Sequence, residues 1–143
     1  MNDEEALDPA SPGAETNQEG LTRKFQKELN AGLVSLVLLA LLDQADEDLY
    51  GYQIAKSLQA MSVAGTPMKQ GALYPVLRTL SAHGLLASRV VPSYAGPPRR
   101  YYRITPAGRE TLASWLSIWT TTREFVDAVA NPATPIHTDS EQP

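Results

Sequence analysis

The chain has 143 residues, room for one ordinary domain with a modest core, and it lacks cysteine, which removes disulfides, thiol catalysis and cysteine-ligated zinc. Its formal net charge is −4, yet residues 1–20 carry six acids and no base, and residues 131–143 two acids and no base. Residues 21–130 therefore hold all twelve bases against eight acids, so the acidic balance does not exclude a polyanionic partner for the body of the chain.

Residues 1–20 combine Pro, Gly, Ser and acids with almost no large apolar group, and they read as a disordered acidic tail. A first helix is expected from about Thr22, as its cap, to Gln44. The apolar run from Ala31 to Leu42 is too short to span a bilayer, and no basic segment precedes it as in a secretory signal. A cytoplasmic protein without a membrane partner is the expectation. Leu33, Val37 and Leu41 form one stripe, with Leu36, Leu39 and Ala40 largely off it. A helix apolar on nearly every face must be covered on every face, which calls for a partner. The acids of DQADED, Asp43 to Asp48, then read as caps and dipole charges for a second helix, Leu49 to Met61, rather than as a cation site. On that helix Tyr50, Ile54, Leu58 and Met61 mark the buried face, and Gly51 marks a close approach.

SVAGTP breaks the chain, and a third helix follows from Gln70 to His83, ended by Gly84. Leu73, Val76, Leu77 and Leu80 face the core. Pro75 predicts a slight bend or a tightened first turn. Two short strands, Leu86 to Val91 and Arg99 to Thr105, flank the tip PSYAGPP. Thr105-Pro106 opens a last helix that Asn131-Pro132 stops, and residues 131–143 read as a second disordered tail. No later element covers the apolar band of Leu112, Trp115, Leu116, Trp119 and Val126, so the first and last helices together predict a homodimer.

From Lys69 to Arg109 the chain carries seven bases (Lys69, Arg78, Arg89, Arg99, Arg100, Arg103 and Arg109) and no acid. The order helix, hairpin, helix suits a winged helix-turn-helix, and the fold class expected is mainly α with a small β-hairpin. Residues 21–105 would form the DNA-binding domain and residues 106–130 the dimerisation helix. Lys69, Gln70, Tyr74 and Arg78 line the front of the third helix, where amide, phenol and guanidinium groups can reach base edges and phosphates. Ser93 and Tyr94 at the wing tip, with Arg99 and Arg100 beside it, would hold the DNA backbone. His83 and His137 have no metal-ligating company, and no Ser, His and acid set suits a nucleophile, so neither a metal, a cofactor nor catalysis is expected.

LYGYQI, GALYPVLRTLSAHGLL and GPPRRYYRITPAGRETL, in that order, resemble the PadR family of winged-helix transcriptional regulators over roughly residues 31–130. The resemblance implies a dimeric repressor on palindromic double-stranded operator DNA, often released by an aromatic small molecule. A single helix after the wing is similar to the shorter PadR subfamily. In a drug-binding member of that subfamily, paired tryptophans on the final helix sandwich flat molecules in the dimer pore. By position Trp119 looks like that tryptophan, with Leu116 and Arg123 a turn to either side and Leu36 and Ala40 lining the same space. Lys69 departs from the family, which often has a small polar cap there. A winged-helix protein-interaction module and a small-molecule-binding protein without DNA binding are the alternatives. The acid-free stretch favours DNA.

Overall fold

The computed structural model describes residues 16–61 and 69–136. Its first helix, α1 (Asn17–Gln44), starts five residues earlier than expected. Thr16, not Thr22, is the cap: Glu19 N–H donates to Thr16 Oγ1 at 3.0 Å and Thr16 N–H donates to Glu19 Oε1 at 2.9 Å. This reciprocal pair satisfies two N-terminal amides and lets a polar, glycine-containing sequence join the helix. The expected tail through residue 20 is corrected there, while residues 1–15 lie outside the described residues. By length and composition α1 is long and apolar enough to cross a membrane. Its C-terminal half instead enters the core through Leu38, Leu39 and Leu42, a line offset from the expected Leu33, Val37 and Leu41 stripe.

The second helix was expected to start at Leu49. Leu49 and Tyr50 form a short strand, β1 (Leu49–Tyr50), before α2 (Gly51–Met61). The expected SVAGTP turn lies outside the described residues. Then come α3 (Gln70–Ala82), β2 (Leu86–Val91), β3 (Arg99–Ile104) and α4 (Pro106–Ala130). The hairpin pairs antiparallel with Leu86 opposite Ile104 and Val91 opposite Arg99. β1 pairs with the other side of β3, Leu49 opposite Tyr102 and Tyr50 opposite Tyr101, giving the order β1-β3-β2. The strand replaces a helical turn because it satisfies β3's otherwise open edge, and Leu-Tyr suits a half-buried pleat.

One core joins the elements: Leu38, Leu39 and Leu42 of α1, Ile54 of α2, Leu73, Leu77 and Leu80 of α3, Leu86, Tyr102 and Ile104 of the hairpin, and Leu112 of α4. Met61, expected inside, ends its helix exposed. In α3 the first turn is tightened, as Pro75 predicted: Ala72 N–H reaches Lys69 O, three residues back, at 3.0 Å. The helix ends in a paired cap, with Leu85 N–H on Leu80 O and Gly84 N–H on Ser81 O, both at 3.0 Å. Gly84 takes φ +77°, which a side chain would resist.

Thr105 ties that end of α3 to α4. Its hydroxyl donates toward Gly84 O at 2.7 Å and Leu85 O at 3.1 Å, and it accepts from Gly108 N–H at 3.0 Å as the α4 cap. Gly108 packs so tightly that a Cβ would collide with Leu85 O and lie 2.7 Å from Ile104 Cγ1. α1, α2, α3 and the three-stranded sheet thus form a winged helix-turn-helix from which α4 projects.

Candidate nucleic-acid interface

The recognition face starts from helical spacing. Leu73, Leu77 and Leu80 turn α3's back to the core, which leaves Gln70 and Arg78 exposed on the other side, with Lys69 as the backbone cap. Tyr74 differs from this picture. It is half-buried, its ring lies against Gly51, and its hydroxyl accepts a 2.7 Å hydrogen bond from Gln70 Nε2. Gly51 is buried at the start of α2, and any Cβ there would run into the Tyr74 ring. The close approach expected at Gly51 is therefore made by the tyrosine that was expected to read bases.

The acids at Asp43, in the last turn of α1, and at Asp46, Glu47 and Asp48 after it do not cap α2, because β1 intervenes. Two of them pair with bases of the basic stretch: Asp48 Oδ2 lies 3.0 Å from Arg89 Nε, and Asp43 Oδ1 lies 3.2 Å from Arg109 Nε. Of the seven bases, Arg89 and Arg109 are thus neutralised locally. Lys69, Arg78, Arg99, Arg100 and Arg103 have no carboxylate partner among the described residues. Both pairings are tertiary, Asp48 lying 41 residues before Arg89 and Asp43 lying 66 before Arg109.

At the wing base, Arg99 sits over the Tyr50 ring at 4.5 Å and Tyr50 meets Tyr101 edge-on at 5.3 Å. Arg89 covers Tyr101 at 5.1 Å. Arg100 Nη1 donates to Ser88 Oγ at 3.1 Å across the hairpin. Stacking on an aromatic face holds a guanidinium in one orientation while its N–H groups stay open to an acceptor. Between α3 and this wing base lies a crevice of about 320 Å³ lined by Tyr50, Gly51, Tyr74, Arg78, Pro98, Arg99, Arg100 and Tyr102. No acid lines it. Burial pushes the Tyr102 phenol up, and the charges of Arg100 and Arg78 pull it back, so both cations act on one point.

The crevice collects Tyr74, Arg78, Arg99 and Arg100 of the expected DNA-binding set, while Lys69 and Gln70 stay on the open face of α3. Ser93, half-buried, and Tyr94, fully exposed, lie in the turn between β2 and β3 and line none of it. Tyr50 and Tyr102, which also line the crevice, lie outside the expected DNA-binding set. Tyr50 is expected on the buried face of the second helix, and only the β1–β3 register sets it beside the wing.

The expected effector residues divide. A groove of about 520 Å³ between α1 and α4 includes Leu36 and Trp119, together with Trp115, Leu29, Leu33 and Ile118. Ala40 packs against the core, and neither Leu116 nor Arg123 lines the groove. Its charged member is Glu28, which lies 3.5 Å from Lys24. Among the described residues no group of acids and histidines is arranged to hold a metal ion.

Residues 38–114 match the transcriptional regulator PadR-like family. The transcriptional regulator Rv3488 of Mycobacterium tuberculosis is 44% identical over 70 residues, 48% of this chain and 60% of that protein. The crystal structure of a PadR family transcriptional regulator from Eggerthella lenta superposes with a TM-score of 0.66 at 30% identity, covering 80% of this chain and 96% of its own. A transcriptional regulator from Clostridium thermocellum superposes with a TM-score of 0.63 at 27% identity, covering 70% of this chain and 95% of its own.

Proposed function

The chain belongs to the PadR-like family of transcriptional regulators, and from that premise we propose that it binds a palindromic operator as a homodimer and represses transcription until an aromatic small molecule enters between its α1 and α4 helices. The observation that carries the DNA-binding part is the acid-free surface from the front of α3 to the wing base, with Arg78, Arg99 and Arg100 lining one crevice. α3 enters a major groove and exposes Lys69, Gln70 and Arg78 to it. The wing supplies arginines that contact phosphate and fix register rather than sequence.

The dimer is supported by the apolar surface that one chain leaves open. Leu21 and Phe25 in α1 are 66% and 62% exposed, and Ile118, Phe125 and Val129 in α4 are 62%, 67% and 57% exposed. These faces lie along two helices that already meet in one chain, so a second copy can cover both by a two-fold contact. Two recognition helices then face half-sites about one DNA turn, roughly 34 Å, apart. The α1/α4 groove, with Trp115 and Trp119 on one wall, offers wide stacking surface for a flat ligand.

Fluorescence anisotropy with DNA from upstream of the chain's own coding region tests this reading. Binding at low salt with a stoichiometry of two chains per duplex is the expected result. The absence of binding at low salt, with or without aromatic ligands, would favour a protein-interaction module on the same fold.

A further inference from the structure

The side-chain hydrogen bond within α3 gives Tyr74 a task other than touching DNA. We propose that Tyr74 is a positioning residue that acts through Gln70: its phenol fixes the Gln70 amide so that this amide reads one adenine in the major groove of each operator half-site. The inference rests on the DNA-binding reading above and deepens it by naming a base.

Gln70 is the first residue of α3 and is exposed, the place from which a recognition helix reaches base edges. Tyr74 follows one turn later, half-buried, with its ring against Gly51 at the start of α2. The ring is therefore held back from the groove, and it stands as a rigid post beside a side chain that can enter. Its hydroxyl oxygen accepts from Gln70 Nε2 at 2.7 Å, at the short end of N–H···O bonds. A carboxamide has two N–H donors and one carbonyl acceptor, so one donor and the acceptor stay open, and no other bond among the described residues occupies them. Adenine presents the complement in the major groove, its N6 amino donor beside its N7 acceptor. Guanine presents two acceptors there and repels the amide carbonyl. Lys69 and Arg78 carry donors only, so on this face the Gln70 carbonyl is what separates adenine from guanine. Without the phenol the amide could turn through half a circle about its last bond and exchange donor for acceptor. An unanchored glutamine also loses its side-chain freedom on contact, whereas this one has given up part of it before DNA arrives.

The test uses the full-length chain and duplexes that it selects from a random library, each then changed one base pair at a time in both half-sites. Affinities are compared among wild type, Gln70→Ala, Tyr74→Phe and the double variant. Tyr74→Phe keeps the ring against Gly51, so it removes the hydroxyl without removing the packing. Wild type should prefer adenine about tenfold per half-site at one position, the discrimination of a bidentate amide contact. Gln70→Ala should erase the preference at that position alone, and Tyr74→Phe should reduce it about three- to fivefold, the effect of one hydrogen bond. In the Gln70→Ala background Tyr74→Phe should change nothing further, since it acts only through the amide. Replacing that adenine by 7-deazaadenine, which lacks the N7 acceptor, should weaken wild type about fivefold per half-site and leave Gln70→Ala unaffected. A further change of base preference by Tyr74→Phe in the Gln70→Ala background shows the phenol touching DNA directly and overturns the proposal. A preference for guanine or thymine at the position Gln70 controls, the choice of a reversed amide that presents only donors, overturns it as well. So does a base profile that Gln70→Ala leaves unchanged. Wild-type protein that binds no duplex at all refutes the functional reading itself, which is a different outcome from selective binding with the wrong base at this position.

Discussion

Adding one methyl group at Gly51 should uncouple the recognition helix from the start of α2. A Cβ there would lie 2.7 Å from the Tyr74 hydroxyl oxygen and 2.8 Å from Cζ, where relaxed contact needs about 3.5 Å. The obstructing atoms are the far end of a ring, not backbone, so the ring can swing away. The cost then falls in the lower part of the overpacking range, about 1–2 kcal/mol. Alanine also restricts the unfolded chain, which returns about 0.5–1 kcal/mol. Gly51→Ala alone should therefore destabilise by about 0.5–1 kcal/mol. In a Tyr74→Ala background the methyl no longer meets the ring, and the same change should stabilise by up to about 1 kcal/mol. Urea unfolding of the four proteins, at one fixed concentration because the stability of the proposed dimer would depend on it, gives the coupling. A coupling of about 1–2 kcal/mol is expected. Additivity within about 0.5 kcal/mol would refute the packing argument. The displaced ring also gives up its bond from Gln70, so both single variants should lose discrimination between operator and random DNA to a similar extent.

Two glycines give opposite signs for the same substitution. At Gly108 the obstruction is the Leu85 carbonyl, held in place by Thr105 N–H at 3.1 Å, so Gly108→Ala should cost about 3 kcal/mol and lower Tm by about 6–12 °C. At Gly71 nothing lies within 4 Å, and Gly71→Ala inside α3 should stabilise by about 0.5–1 kcal/mol; calorimetry showing the same sign for both would contradict the geometry. Acid should fray the start of α1. The Thr16 backbone amide, then its hydroxyl, hold the Glu19 carboxyl below its ordinary value, so the stabilisation is present above the unfolded value and is lost as pH falls through the lower folded one. Protection factors of the amides of residues 17–20 should fall on acidification in wild type, and Glu19→Gln should abolish most of that pH dependence, whereas Thr16→Ala, which keeps the backbone amide, should leave part of it while costing about 1 kcal/mol.

The four helices, the hairpin and the family were legible in the order of apolar spacing, caps and breakers. Thr105-Pro106 fixed the start of α4, and Gly84 the end of α3, because capping is a local property that a few neighbouring residues settle. The same locality hid the capping box at Thr16 and Glu19 behind a composition that read as tail. The basic stretch announced a polyanionic partner because acids are missing from forty consecutive residues, roughly the span from helix to helix. Which of those bases stay available was not local information. Arg89 is matched by Asp48 just before β1 and Arg109 by Asp43 in the last turn of α1, and periodicity within one segment cannot express a contact between two. Tyr50 became part of the site only when β1 took the open edge of β3, since an isolated Leu-Tyr dipeptide carries no strand signal until an edge exists to pair with it. Composition thus determined that a cationic winged helix would be made. Tertiary packing decided that Tyr74 lies against Gly51 and that Arg78, Arg99 and Arg100 line one crevice, because both follow from which faces of separate elements the core brings together.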